Sequence, residues 1–287
     1  MDAELLPYLR CPSCHAHLTA ASIGISDDGE IVAGELRCGM CSAVYAVRDG
    51  ILDLLGVARP ASPAQVINDW PLTAWGYERL WRPFALTLFS GEPFPYRREL
   101  SLIVALAAPW RGGLYLDLAC SNGLYARALA RTLYGTRGHV VGVDRSLPML
   151  AQARRYARAA GLRISFVRAE AQALPIAGGV VAGVTIGGSL NEIGDLDGCL
   201  AQVRRILARD GRFVAMTLTR ATTHVGRGLQ ALAGRGGIDF WAPDQLEQAF
   251  ARHGLHTIGR WQYGAVLFTL CVPRSKDLLL AAGTAGR

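Results

Sequence analysis

The stretch Leu114-Tyr-Leu-Asp-Leu-Ala-Cys-Ser-Asn-Gly123 joins an apolar run to a tight loop of small residues. Residues 124–133 follow with helical spacing, so the segment predicts a strand, a turn and a helix. In an open parallel sheet, ligands bind beyond the carboxyl ends of the strands, and the loop after the first strand is the natural nucleotide cradle. Small residues suit that loop because its backbone must approach the ligand closely.

Short apolar strands continue to alternate with helical segments along the rest of the chain. This alternation predicts an α/β fold with a seven-stranded Rossmann-like sheet. A hairpin around Tyr263-Gly264 makes its last strand antiparallel. Beyond the first strand and helix, the predicted strands are 139–143, 165–168, 180–186, 212–218, 255–261 and 265–272, and the predicted helices are 148–160, 196–208 and 243–253.

Two acidic residues follow the second and third predicted strands. Asp144 can accept hydrogen bonds from both hydroxyls of a ribose, and Glu170 can accept one from an adenine amino group. A dinucleotide fold would need G-x-G-x-x-G to seat a pyrophosphate, whereas residues 119–123 hold one glycine. The pattern therefore predicts a nucleoside-type cofactor without phosphates, such as S-adenosylmethionine (SAM).

Four cysteines near the N-terminus form two C-x2-C pairs, with twenty-three residues between Cys14 and Cys38. Two such pairs can place four thiolates around one structural zinc ion. We therefore predict a rubredoxin-like zinc ribbon with the ligands Cys11, Cys14, Cys38 and Cys41. Because four cysteines complete the site, we interpret the neighbouring His15 and His17 as bystanders. The other three cysteines are isolated in apolar contexts, which is not a disulfide framework.

Five segments carry a family resemblance: Leu116–Gly123, Val143-Asp-Arg-Ser146, Ala169–Pro175, Leu190-Asn-Glu-Ile193 and Val203–Phe213. They resemble the successive motifs of class I SAM-dependent methyltransferases, most closely the type 11 (ubiquinone/menaquinone-type) small-molecule group. With the ribbon and the Tyr77-Glu-Arg-Leu-Trp81 segment, the whole chain resembles the zinc-ribbon-bearing type 11 proteins of bacteria and plastids.

The resemblance implies a role for several residues. Asp117, Ala119 and Gly123 would line the amino-acid end of SAM, and Asp144 would hold the ribose. Adenine would lie against Glu170 and the backbone of Ala171, and residues 189–191 would lie near the transferred methyl group. Ser121, Arg145 and Ser189 complete the predicted cofactor site.

The sequence departs from the family pattern at two places. Ala119 and Ser121 replace the first two glycines of the usual G-x-G-x-G loop, and Val180-Val181 replaces the usual Phe-Asp pair.

The domains we expect are a zinc ribbon (1–56), an aromatic helical linker or lid (57–110), a SAM-binding methyltransferase domain (111–275) and a tail (276–287). The aromatic residues of the linker either pack into the main domain or cover an active site.

The net charge is +7, and Lys276 is the only lysine among the basic residues. No dense basic stretch marks a nucleic-acid arm, so the charge is either dispersed and solvated or part of a surface that faces RNA.

The acidic start does not resemble a signal peptide, and the apolar runs are too short to span a bilayer. These observations predict a cytoplasmic protein and leave its oligomeric state open.

Three functions are consistent with these residues. The first is O- or C-methylation of a small-molecule acceptor, for which alignment of the acceptor and exclusion of water matter most. The second is methylation of rRNA guanine, since some such enzymes carry a zinc ribbon. The third is a SAM-binding cyclase or pseudoenzyme. Candidate general bases are Tyr77, Glu192 and His224, although Glu192 can instead cap a turn and His224 can lie in a surface loop.

Overall fold

The computed structural model of the chain describes residues 1–27, 29–55, 82–133 and 135–273. Its strands are β1 (Leu18–Ile25), β2 (Ile31–Cys38), β3 (Val44–Arg48), β4 (Ile51–Asp53), β5 (Gly113–Leu118), β6 (Gly138–Asp144), β7 (Ile164–Arg168), β8 (Val181–Gly187), β9 (Leu207–Leu218), β10 (Leu255–Tyr263) and β11 (Val266–Pro273). Its α-helices are α1 (Arg82–Ser90), α2 (Tyr96–Ala107), α3 (Leu124–Leu133), α4 (Leu147–Ala159), α5 (Leu196–Ile206), α6 (His224–Gly234) and α7 (Pro243–Arg252). Short 3-10 helices span Ala3–Tyr8, Pro109–Arg111 and Ser189–Glu192.

The strands form one sheet in the order β1-β2-β3-β4-β7-β6-β5-β8-β9-β11-β10. From β4 to β9 the neighbouring strands are parallel, and β11 runs antiparallel to both β9 and β10. The strand order reverses at β5, where β6 lies on one side and β8 on the other. The predicted Rossmann-like sheet of seven strands, with its antiparallel last strand, is confirmed as β5 to β11.

The sheet extends further than the sequence predicted, because the four ribbon strands continue it to eleven. Strand β4 pairs in parallel with β7, with Leu52 opposite Val167, and the Leu54 amide donates to the Arg168 carbonyl at 2.9 Å. Asp49 and Gly50 both have positive φ (48° and 68°), as in the tight hairpin turns that suit twisted strands. The ribbon thereby covers an edge of the α/β sheet that would otherwise expose unpaired backbone groups.

Side chains tie the ribbon to the rest of the molecule as well. Arg154 on α4 forms an ion pair with Glu30 at 2.7 Å, and Arg168 forms one with Asp53 at 3.1 Å. One apolar cluster contains buried residues of both parts of the chain. It includes Leu5, Leu9, Leu36 and Leu52 of the ribbon and Val167 and Ile176 of the main domain. The ribbon and the α/β domain are therefore packed around a common core.

Helices cover both faces of the central sheet. Buried residues of α5 and α7 belong to the same apolar cluster as the ribbon. Those of α2, α3 and α4 form a second cluster together with other buried residues of the strands.

Phe94, which is 1% exposed, packs against Phe268, and its ring centroid lies 5.1 Å from that of Tyr263. This aromatic residue of the predicted linker therefore packs into the main domain. Residues 56–81 and 274–287, which include the rest of the predicted linker or lid and the predicted tail, lie outside the described part of the chain.

Helix α6 was not predicted from the sequence, which indicated a loop around His224. Glycines at positions 226, 228 and 234 weaken its helical pattern. The Thr223 side chain caps the helix by accepting from the Gly226 amide at 3.1 Å. Gln230 then anchors it through hydrogen bonds with the Thr219 carbonyl and the Ala221 amide.

Among the described residues, no helix combines the length and apolar character needed to cross a bilayer.

Candidate functional site

A cleft lies at the carboxyl ends of β5 and β8, beside the loop of residues 119–123. It is a half-open depression with about 250 Å³ of empty space, which includes open solvent. The described residues that line it are Arg82, Asp117, Ala119, Cys120, Ser121, Asn122, Leu124, Tyr125 and Gly187. This is the edge of the sheet, next to the reversal of strand order, at which a ligand is expected.

The loop at the cleft contains three residues in the left-handed conformation. Ala119 and Ser121 both have φ of 50°, and Gly123 has φ of 76°. These are the three glycine positions of the family pattern, so glycine there relieves backbone strain. Space also restricts Gly123, since a Cβ atom there would lie 3.0 Å from the Cβ of Ala153. The two replacements noted in the sequence therefore occupy strained positions, although the backbone keeps the tight turn.

Asp144 lies at the end of β6 and holds this loop in place. Its Oδ2 accepts from the Ser121 amide at 2.8 Å, and its Oδ1 accepts from the Ser146 amide at 2.8 Å. An ionised carboxylate is an acceptor through both of its oxygens, which is the kind of group that ribose hydroxyls need. Contact of Asp144 with a ribose stays a prediction.

Asp117, at the end of β5, is 2% exposed and lies beneath the cleft. Its Oδ2 accepts from the Ala126 amide at 2.8 Å, and its Oδ1 accepts from the Thr185 hydroxyl at 3.0 Å. Burial raises the pKa of Asp117 to about 7, although these two hydrogen bonds oppose the increase. Asp117 thus joins β5 to α3 and β8, besides lining the cleft, and its contact with the amino-acid end of SAM stays a prediction.

Glu170 follows β7, next to the tip of β6, and the Ala169 amide donates to the Asp144 carbonyl at 3.0 Å. The Oε1 atom of Glu170 is buried and lies 3.9 Å from Nη1 of Arg145, and no hydrogen-bond partner reaches it within the described part of the chain. A buried acceptor of this kind suits a ligand that brings an amino group. Ala171, the next residue, is buried, and contact of Glu170 and Ala171 with an adenine stays a prediction.

Residues predicted near the reacting group follow β8. The Ser189 hydroxyl donates to the Ala119 carbonyl at 3.4 Å, which brings it to the cofactor loop. Asn191 is buried and binds backbone instead, since its amide nitrogen donates to the Leu218 carbonyl at 2.8 Å and to the Asp239 carbonyl. Asn191 therefore fixes the end of β9.

Two of the three candidate general bases, Glu192 and His224, are among the described residues, and neither lines the cleft. Glu192 is half-buried at the end of the 3-10 helix after β8, and it is absent from the described residues that line the cleft. His224 is the exposed first residue of α6 and not part of a loop. Tyr77 lies outside the described residues. The catalytic role of each of the three stays a prediction.

Sequence reasoning missed a buried polar network at the cleft. Nη2 of Arg82 donates to Oε1 of Glu99 at 2.5 Å and to the Tyr125 hydroxyl at 3.1 Å. The Tyr125 hydroxyl also donates to Oε1 of Glu99 at 2.5 Å. One signal was available: Glu99, Ile103 and Leu106 share the buried face of α2, so a carboxylate occupies an otherwise apolar stripe.

The four predicted metal ligands come together in the ribbon. The Sγ atoms of Cys11, Cys14, Cys38 and Cys41 all lie within 4.8 Å of one another, with Cys14–Cys38 at 3.3 Å and Cys11–Cys41 at 3.6 Å. Zinc with Zn–S bonds of about 2.3 Å needs sulfur atoms about 3.8 Å apart in a tetrahedron, so the cluster fits that ion. The Tyr45 hydroxyl lies 3.2 Å from the Cys11 sulfur. His15 and His17 are not members of the cluster.

Two family models match the chain, and they cover separate segments. Residues 116–211 match the family described as "Methyltransferase domain", and residues 2–50 match the family described as "Trm112p-like protein". The first match covers the cofactor loop, Asp144 and Glu170, and the second covers the cysteine cluster.

Curated relatives are also methyltransferases by name. An uncharacterized chloroplastic methyltransferase of Arabidopsis thaliana is 28% identical over 77% of this chain and 64% of its own length. A demethylmenaquinone methyltransferase of Thermus thermophilus is 37% identical over 45% of this chain and 56% of its own. The chain thus spans less than two thirds of the length of these relatives.

Solved structures agree on the fold. A Haemonchus contortus phosphoethanolamine N-methyltransferase, solved with S-adenosylhomocysteine, has a TM-score of 0.54 and 17% identity over 70% of this chain and 46% of its own. Taken together, residues 116–211 match the methyltransferase domain family, and the match to the Trm112p-like family precedes them in the same chain.

Proposed function

We propose that this protein transfers a methyl group from SAM to an oxygen or carbon atom of a small-molecule acceptor. One observation carries the proposal: a cleft beside three left-handed loop residues, with Asp144 and Glu170 at the next two strand tips. The matched methyltransferase family supports the reaction class. Several relatives are named as methyltransferases of demethylmenaquinone or 2-phytyl-1,4-naphtoquinone, and these names support a small-molecule acceptor.

When bound, SAM would supply a methyl group that is already activated on a sulfonium. The buried Oε1 of Glu170 would accept from the adenine amino group, and Asp144 would accept from the ribose hydroxyls while it holds the Ser121 amide. The turn at residues 119–123 would allow close approach of the backbone to the amino-acid end. These contacts orient the donor, and orientation is the main requirement of an in-line displacement.

Binding and turnover are tested separately. Calorimetry with S-adenosylhomocysteine should show binding to the purified chain, and radiolabelled methyl from SAM should pass to a lipid-quinone or phenolic fraction of a cell extract. Absence of both results would refute the proposal. Tight binding without transfer to any acceptor in a broad screen would instead favour the non-methylating alternative, a cyclase or pseudoenzyme on this fold.

Methylation of rRNA is the second candidate, and the net charge of +7 is the observation that favours it. Phosphate contacts release counterions, so RNA binding of this kind weakens steeply with salt. Filter binding of rRNA fragments at 50 and 200 mM salt should detect it. Failure to bind at both salt concentrations would remove this candidate. A cytoplasmic location stays a prediction.

We further propose that the cysteine cluster holds one structural zinc ion. Four cysteine ligands leave no open position for water or substrate, so the ion would have no catalytic role. Burial opposes thiolate formation at Cys11, but hydrogen bonds from Tyr45 and from the amides of Cys14 and Ser13 lower its pKa to about 6. The ribbon is too small to fold on its own core, so zinc would contribute folding free energy.

A further inference from the structure

We infer that Arg82 binds the carboxylate at the amino-acid end of the methyl donor, and that Glu99 positions it. The inference rests on the proposed function, because it names the group that recognises one end of that donor. Arg82 is the first residue of α1, and its side chain lines the cleft together with Asp117 and the loop residues.

The charges around the cleft support this role. The amino-acid end of SAM carries a carboxylate, which loses water when it enters a narrow cleft and therefore needs a cationic partner. Among the described residues that line the cleft, Arg82 carries the positive charge and Asp117 is the acidic group. A guanidinium group has five N–H donors in a planar fork that matches a carboxylate.

The guanidinium is held in place by a carboxylate and a backbone carbonyl. Oε1 of Glu99 accepts from Nη2 of Arg82 at 2.5 Å, and the Glu99 side chain is fully buried. Nη1 of Arg82 donates to the Gly187 carbonyl at 3.2 Å. These bonds fix a long side chain before the ligand arrives, which lowers the entropy lost on binding.

The backbone of β8 leaves room for this arrangement. A Cβ atom at Gly187 would lie 2.9 Å from Nη2 of Arg82 and 2.7 Å from the Tyr125 ring. Helices α1, α2 and α3 and strand β8 each contribute one member of the cluster: Arg82, Glu99, Tyr125 and Gly187. The geometry therefore points to a built subsite and not to an isolated surface arginine.

Two ligands separate this role from a structural one. S-adenosylhomocysteine and 5′-methylthioadenosine share the adenosine and the thioether, but only the first has the amino-acid end. Calorimetry should show that Arg82→Met weakens S-adenosylhomocysteine binding about 10- to 100-fold, the range expected for a charged hydrogen-bonded pair. Binding of 5′-methylthioadenosine should change less than about threefold, since the remaining contacts are retained.

Three variants complete the experiment. Arg205→Met is the matched control, because Arg205 is half-buried and donates to the Leu174 and Ile176 carbonyls at 2.7 Å but does not line the cleft. It should leave the ratio of the two affinities unchanged. Glu99→Gln should lower that ratio in part, as expected of a positioning residue. If Arg82→Met does not fold, Arg82→Lys provides the same test, with a smaller selective loss.

Equal weakening of both ligands, or an unchanged affinity ratio, in the Arg82 variant would overturn the inference and leave the proposed function intact. A wild-type chain that binds neither ligand would instead refute the proposed function.

Discussion

Asp144 at the tip of β6 accepts a hydrogen bond from the Ser121 amide across 2.8 Å. Ser121 is one of two residues other than glycine in the loop that take the left-handed conformation. The carboxylate therefore stabilises a strained turn on the neighbouring strand, and by the proposed function it also holds the ribose. Loop geometry and ligand recognition are thus coupled through a single side chain.

Replacement of Asp144 should weaken donor binding for both reasons. We expect Asp144→Ala to lower the affinity for S-adenosylhomocysteine by about 10- to 100-fold, as for the loss of hydrogen bonds to a charged group. Calorimetry measures the effect. Asp244→Ala is the control, because the Asp244 side chain is 84% exposed on α7. Unchanged affinity in Asp144→Ala would mean that this carboxylate does not hold the donor.

Glycine at position 119 should stabilise the folded chain. Ala119 has φ of 50°, a conformation that costs an L-residue about 1–2 kcal/mol, of which the flexibility of glycine in the unfolded chain cancels part. We expect Ala119→Gly to raise Tm by about 1–3 °C. Ala128→Gly in the middle of α3 should lower it, because glycine is unfavourable within a helix. Scanning calorimetry of both variants tests the sign, and a lower Tm for Ala119→Gly would contradict the strain argument.

The buried carboxyl of Asp117 should make stability depend on pH. Burial raises its pKa to about 7, against about 3.9 in an unfolded chain. Between these values the folded chain binds more protons than the unfolded chain, so the free energy of unfolding falls as the pH rises. In Asp117→Asn, this slope should be smaller by up to about 1.4 kcal/mol per pH unit.

Urea unfolding from pH 4 to pH 7.5, without added ligand, measures this slope. Asp210→Asn is the control, since the Asp210 side chain is 76% exposed and should leave the slope unchanged. The same pH dependence in wild type and Asp117→Asn would show that the carboxyl titrates normally.

Loss of the metal should affect more than the ribbon, because β4 pairs with β7 of the main domain. We expect about one zinc ion per chain by atomic absorption, and none in Cys38→Ser/Cys41→Ser. Amide hydrogen exchange should then increase in β4 and also in β7. Cys199→Ala, which removes a buried thiol on α5, should retain the ion. Slow exchange in β7 after complete metal loss would argue against this coupling.

Local patterns explain what could be predicted of the site. Small residues at 119–123 and acidic residues after two strands predicted the cofactor edge, since each depends on strand, turn and helix signals close in sequence. The pair Arg82–Glu99 could not be predicted, because its contact depends on how two helices pack. The hydrogen bonds of Asp117 were hidden for the same reason: Thr185 is sixty-eight residues away.

The sequence by itself determined the order of strands and helices in the main domain apart from α6, the tight loop and the four-cysteine cluster. Each follows from hydrophobic periodicity, turn residues or short spacing, which act within a few residues of one another. Only the tertiary structure decided that the ribbon pairs with β7 and that Arg82 lies beside Asp117 in the cleft. Strand pairing uses backbone groups that every residue shares, and packing between helices is set by the whole core, so neither leaves a local pattern.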